Sequence, residues 1–150
     1  MTQSELIAAA RSAERAGEWD AALAHYESAL ACLRTWGGAA EAADVLRWIG
    51  SIHRVRGNAE LALEAYETSL AIAVAADLSF QIASAHNCLG ILAQFQGASE
   101  RAVAHYEDGR SFALDAKAAH VVALIDMNLG TLASIRGDVS TAIASYQSAL

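Results

Sequence analysis

GEWDAALAHYESAL, residues 17–30, returns as GNAELALEAYETSL at 57–70, GASERAVAHYEDGR at 97–110 and GDVSTAIASYQSAL at 137–150. The leading glycines, Gly17, Gly57, Gly97 and Gly137, stand 40 residues apart each time. So do Ala22, Ala62, Ala102 and Ala142, and so do Tyr26, Tyr66, Tyr106 and Tyr146. A second set lies seven residues before the last three of these glycines: Gly50, Gly90 and Gly130, each after an isoleucine or leucine, with Ala10 in that place in the first copy. One register held through four copies marks a repeat architecture, in which each copy buries its apolar side only against its neighbours.

Each copy reads as two helices. Strong helix formers dominate, proline is absent, and apolar residues recur at helical spacing, as in Leu46, Ile49 and Ile52. The spacing predicts helices over 3–16, 19–35, 40–56, 59–76, 79–96, 99–115, 118–136 and 139–150. Gly17, Gly57, Gly97 and Gly137 are expected to end the first helix of each pair in a left-handed cap. Thr2 to Glu5 reads as a capping box, and Asn58, Ser99, Asp138 and Ser140 are candidate N-caps. Breaks between copies fall at Gly37–Gly38, Asp77–Leu78 and Ala116–Lys117. No stretch has linker composition, so residues 1–150 read as a single repeat domain with units of roughly 3–36, 39–76, 79–116 and 119–150.

Gly50, Gly90 and Gly130 fall inside predicted helices, where glycine costs about 1 kcal/mol against alanine. Three such positions in one register require a compensating close approach. Ala22, Ala62, Ala102 and Ala142 are expected to face them, with the tyrosines one turn further on and their hydroxyls reaching a polar group at the edge.

The order LG-x6-G-x4-A-x3-Y-x2-A/S-L resembles the tetratricopeptide repeat, of the long, about 40-residue type found in kinesin light chain, LGN, Rap and MalT-like proteins. The resemblance spans essentially the whole chain. Gly109 and Arg110 depart from it, standing where a small residue and a leucine are usual. It implies an all-α fold: a right-handed α-α superhelix, or solenoid, of four antiparallel helix pairs. It also implies that the first helix of each pair lines a concave face. Mapped onto this chain, that face holds Arg11, then Asp44, Arg47, Ser51 and Arg54, then Asn87, Ile91 and Gln94, then Met127, Asn128 and Thr131. Most of these follow one helical stripe, placed opposite the Gly50-type seam. Arg47 and Arg54 offer guanidinium forks suited to carboxylates and phosphates, or else are solvated or pair with Asp44 and nearby glutamates. Asn87 and Asn128 can each donate and accept at once, as a peptide unit requires.

The expected partner is therefore a protein or peptide, bound without covalent chemistry. No cofactor or metal is expected, because His25, His53, His86, His105 and His120 form no ligand pair of known spacing and Cys32 and Cys88 form no CxxC. No nucleophile stands beside a marked base, so no catalytic residue is assigned and an enzyme is not expected. Lys+Arg number 10 against 17 Asp+Glu, a net charge of −7, which does not attract nucleic acid or an anionic membrane. The start carries no signal-peptide pattern, and a cytoplasmic location is expected. The apolar end at Ala149 and Leu150 leaves two readings: a piece of a longer regulatory protein, or an end that stacks on another copy, with possible homo-oligomer formation through the uncapped C-terminal end.

Overall fold

The structure, a computed structural model, describes residues 1–150, with the side chains of Thr35 and Trp36 outside the described set. Among the described residues the chain forms eight α-helices and no strand. They are α1 (Gln3–Arg15), α2 (Trp19–Trp36), α3 (Ala39–Val55), α4 (Ala59–Ala75), α5 (Ser79–Phe95), α6 (Ser99–Asp115), α7 (Ala119–Ile135) and α8 (Val139–Ala149). The helices pack in consecutive pairs, α1 with α2, α3 with α4, α5 with α6 and α7 with α8. They gather into two compact units, Met1–Ala76 and Asp77–Leu150. Each unit has its own core, around Tyr26, Val45 and Ile52 in the first and around Tyr106, Ile125 and Leu132 in the second.

The helix ends follow from the punctuation residues. Gly17, Gly57, Gly97 and Gly137 all take positive φ, between 75° and 81°. At the first of them the Gly17 N–H donates to the Glu14 carbonyl and the Glu18 N–H to the Ala13 carbonyl. That pair of bonds satisfies carbonyls the helix leaves open, and the same two recur at Gly57, Gly97 and Gly137. Between pairs the left-handed place is taken by Asp77 and Lys117 without glycine. The capping box at Thr2 and Glu5 is formed, and Asp138 accepts from the Thr141 N–H. Asn58 holds the N-cap position without a side-chain bond, Ser99 is the first residue of α6 and Ser140 the second of α8. These three do not cap.

The mid-helix glycines are explained by the tyrosines. A Cβ placed on Gly50, Gly90 or Gly130 would stand 2.6–2.7 Å from the ring of Tyr66, Tyr106 or Tyr146. The ring, more than the expected alanine, is what the glycine admits; Ala62 comes next at Gly50, through its carbonyl oxygen at 3.3 Å. Tyr26, Tyr66 and Tyr106 are fully buried, while Tyr146 is 40% exposed. Each hydroxyl then meets the residue four places beyond the small one, on the first helix of the pair. The Tyr26 hydroxyl donates to Glu14 (2.8 Å), Tyr66 accepts from Arg54 Nε (3.4 Å), Tyr106 donates to Gln94 (2.8 Å), and Tyr146 is held by Thr131 (3.3 Å) and Ser134. Burial, with the Glu14 carboxylate next, pushes the Tyr26 hydroxyl well above the ordinary phenol range.

The third copy's departures are compensated in the fourth. Leu30 and Leu46 line one apolar cavity in the first unit. The places 80 residues on are Arg110 and Asp126, which pair at 2.7 Å (Nε to Oδ1), while Ser148 donates to Asp126 Oδ2 at 2.8 Å. Asp126 is 3% exposed while Arg110 is partly exposed, so two leucine places have become an ion pair whose carboxylate is buried. Gly109 is equally local: a Cβ there would stand 3.1 Å from His86 Cβ and from Ile125 Cδ1.

Two outcomes follow for urea unfolding. Tyr106→Phe strips Gln94 of a part-buried donor and is expected to lower stability by about 1 kcal/mol, with Tyr146→Phe close to neutral. Arg110→Ala leaves Asp126 buried without its cation and is expected to cost about 2–4 kcal/mol, whereas Arg110→Leu with Asp126→Leu restores the leucine pairing and stays within about 1 kcal/mol of the parent.

Candidate functional site

The residues expected to bind lie on the first helices of the pairs, and the two units are described separately. In the first unit Asp44 and Arg47 form a half-buried i,i+3 pair at 3.3 Å. Arg11, from α1, sets its guanidinium 4.3 Å from the centroid of the Trp48 ring, and Arg47 approaches the same ring at 5.8 Å. Trp48 in turn lies 5.7 Å from the Tyr26 ring. A cation over an indole face is favoured by the ring quadrupole, which orders Arg11 against α3. Ser51 Oγ lies 3.0 Å from the Tyr66 hydroxyl, and Arg54 reaches the same hydroxyl. Stripe and seam therefore meet at the tyrosines instead of lying on opposite sides.

In the second unit Asn128 Nδ2 donates to Asn87 Oδ1 at 2.9 Å, bridging α7 to α5. Both asparagines are half-buried. Gln94 accepts from Tyr106, and Thr131 donates to its own Met127 carbonyl while touching Tyr146. Ile91 packs on the core. Met127 and Leu124 stand about half exposed, at 52% and 50%. The face thus has an amide bridge with two exposed apolar side chains on α7. Asn87 and Asn128 each retain unused amide capacity among the described residues, since one bond occupies a single donor and a single acceptor.

Two features escaped the sequence reading. Trp48 takes the place of Ala8, Cys88 and Asn128 in the other copies, and its ring is what Arg11 and Arg47 gather on. The second is a histidine pair. His86 stands where Leu6 and Leu46 stand in the first two copies, and its Nδ1 lies 3.1 Å from His105 Nδ1. Its ring stacks on Phe112, with centroids 6.2 Å apart. Comparing each copy place by place, and asking where a polar residue replaces a core leucine, was the available signal.

Burial first, and the neighbouring His105 second, hold His86 below the usual imidazole range, with Asp108 opposing them. A folded-state value below the unfolded one means that the unfolded chain binds more protons. The contribution of His86 is complete above about pH 6.5 and is lost as pH falls through the unfolded value toward the folded one. His86→Leu, the residue of the first two copies, is expected to flatten the loss of thermal stability between about pH 7 and pH 5. An unchanged slope would remove the pair from the account.

Among the described residues no helix is long and apolar enough to cross a membrane, and no group of three or more His, Cys, Asp or Glu is arranged to hold a metal ion. No curated protein matches the sequence. The crystal structure of BtubC (BKLC) from P. vanneervenii shares the fold, with a TM-score of 0.82 at 22% identity over 98% of this chain. The chain spans 61% of the length of that protein. The tetratricopeptide repeat profile matches residues 41–115, which is half of the sequence and takes in α3 to α6. With the 40-residue register, the four helix pairs and the glycine–tyrosine seam already in view, this match shows that the chain belongs to the tetratricopeptide repeat family.

Proposed function

We propose that the first-helix faces are noncovalent binding surfaces for an extended peptide or a helix of another protein. Tetratricopeptide repeats are generally protein–protein interaction modules, and that role carries over with the family. The observation that carries the finer reading is the Asn128–Asn87 bridge beside Met127 and Leu124. A bridged amide pair can open toward a peptide carbonyl and N–H while the apolar side chains take up a partner side chain. Ile91, Gln94 and Thr131 complete this face. Its counterpart in the first unit is Arg11, Asp44, Arg47, Ser51 and Arg54, where guanidiniums ordered on Trp48 and Asp44 suit carboxylates of a partner.

The reading is of a module that binds without turnover. Selection of random twelve-residue peptides against the full chain tests it. Peptides so obtained are expected to lose roughly tenfold or more in affinity on Asn87→Ala with Asn128→Ala, and again on Met127→Glu, a loss of at least about 1.4 kcal/mol. Circular dichroism and the melting temperature should stay near the parent. Selected peptides indifferent to all three substitutions would place binding elsewhere.

A further inference from the structure

The third helix pair departs from the repeat at two places that meet in space. Leu6 and Leu46 stand at the place of His86 in the first two copies, and His25, Ala65 and Ser145 at the place of His105 in the others. Only the third copy carries imidazoles at both places. Their Nδ1 atoms lie 3.1 Å apart, one from α5 and one from α6. The ring centroids are 5.4 Å apart, so the two nitrogens face one another nearly in line, an N–H on one meeting the lone pair of the other when both rings are neutral. Gly109 makes room for the pair: a Cβ there would stand 3.1 Å from His86 Cβ, and Ala29, Ser69 and Ala149 occupy its place in the other copies. Phe112 stacks on the His86 ring from the same helix as His105. Neither histidine is fully buried.

We infer that His86 and His105 form a two-imidazole site for a divalent cation of the zinc, nickel or copper class. Two imidazole nitrogens held about 2.0–2.1 Å from one zinc ion stand roughly 3.1–3.4 Å from each other, close to the separation already present. To hold an ion, the rings turn their lone pairs from one another toward a common point, and the torsion that turns an imidazole has a broad preference. Imidazole suits these ions, whereas magnesium and calcium take oxygen ligands. Asp108, exposed and one turn along α6 from His105, is near enough for its charge to act on His86, and the same charge attracts a cation. Among the described residues no third ligand of this kind is arranged with the pair, so water takes the remaining positions. An ion so held staples α5 to α6 and stabilises the folded pair. Sequence spacing hid the site, because the two ligands come from different helices, 19 residues apart. It uses none of the residues assigned to peptide binding and does not depend on that reading.

Calorimetric titration of the full chain with zinc chloride, and separately with magnesium chloride, tests the inference. Zinc is expected to bind with one equivalent and to raise the melting temperature, and magnesium to do neither. In the unsubstituted chain the imidazole NMR resonances of His86 and His105 should shift on adding zinc, while those of His25, His53 and His120 stay in place. His86→Leu and His105→Ala, each the residue that the second copy carries at that place, should weaken zinc binding roughly tenfold or more with helix content unchanged. His25→Ala and His120→Ala should leave it as in the parent. Absence of zinc binding, an equal response to magnesium, zinc shifts at other histidines only, or affinity indifferent to both His86→Leu and His105→Ala would overturn the proposal.

Discussion

A tyrosine ring laid against a glycine backbone is the contact on which three of the four helix pairs depend, with Ala10 in the glycine's place beside Tyr26 in the first. The ring needs the room that a Cβ would occupy, and the glycine gives it at the cost of helix propensity. Burying an aromatic side chain more than offsets that cost, at about 1.5–3 kcal/mol for a large apolar group. The hydroxyl then fixes the ring along the helix axis by finding the residue four places beyond the small residue, glycine in three pairs and Ala10 in the first. Glutamate, arginine, glutamine and serine all serve there, because a phenol can donate to a carboxylate or amide and accept from a guanidinium. One geometric rule is thus met by four chemistries.

This has a consequence for the inner faces. Arg54, Gln94 and Thr131 lie on the stripe that would meet a partner, and each also holds a tyrosine. On the proposed reading, binding there would draw on groups that already brace the pair and would couple the affinity of these faces to the stability of the pairs. Among the described residues Asn87, Asn128, Met127 and Leu124 hold no tyrosine hydroxyl, and under the proposed function they would be the cleaner handles on recognition.

Most of the fold was legible in the residues. Each helix lies within one residue of its expected bounds at either end, because Gly17, Gly57, Gly97 and Gly137 punctuate the chain by a local φ requirement that needs no tertiary context. The seam was legible as a need for close approach, but its partner was not: helical spacing places Ala62 and Tyr66 on one face without saying whose atoms come nearest. The site was less legible. A stripe drawn by periodicity shows which side chains share a face, whereas the Asn87–Asn128 bridge, the Arg11–Trp48 stack and the His86–His105 pair join residues of different helices. Arg110 and Asp126 show the same limit from the other side. Each breaks the pattern alone, and only together do they replace Leu30 and Leu46.

The central claim concerns energetic coupling between glycine and ring, and a double-mutant cycle at Gly90 and Tyr106 reads it directly. If the ring occupies the space that the glycine leaves, Gly90→Ala is harmful beside tyrosine and becomes neutral or stabilising once Tyr106→Leu has removed the ring. Urea unfolding of the four proteins should then give a coupling of about 1–3 kcal/mol. Additive effects, with alanine equally tolerated beside tyrosine and leucine, would contradict the account.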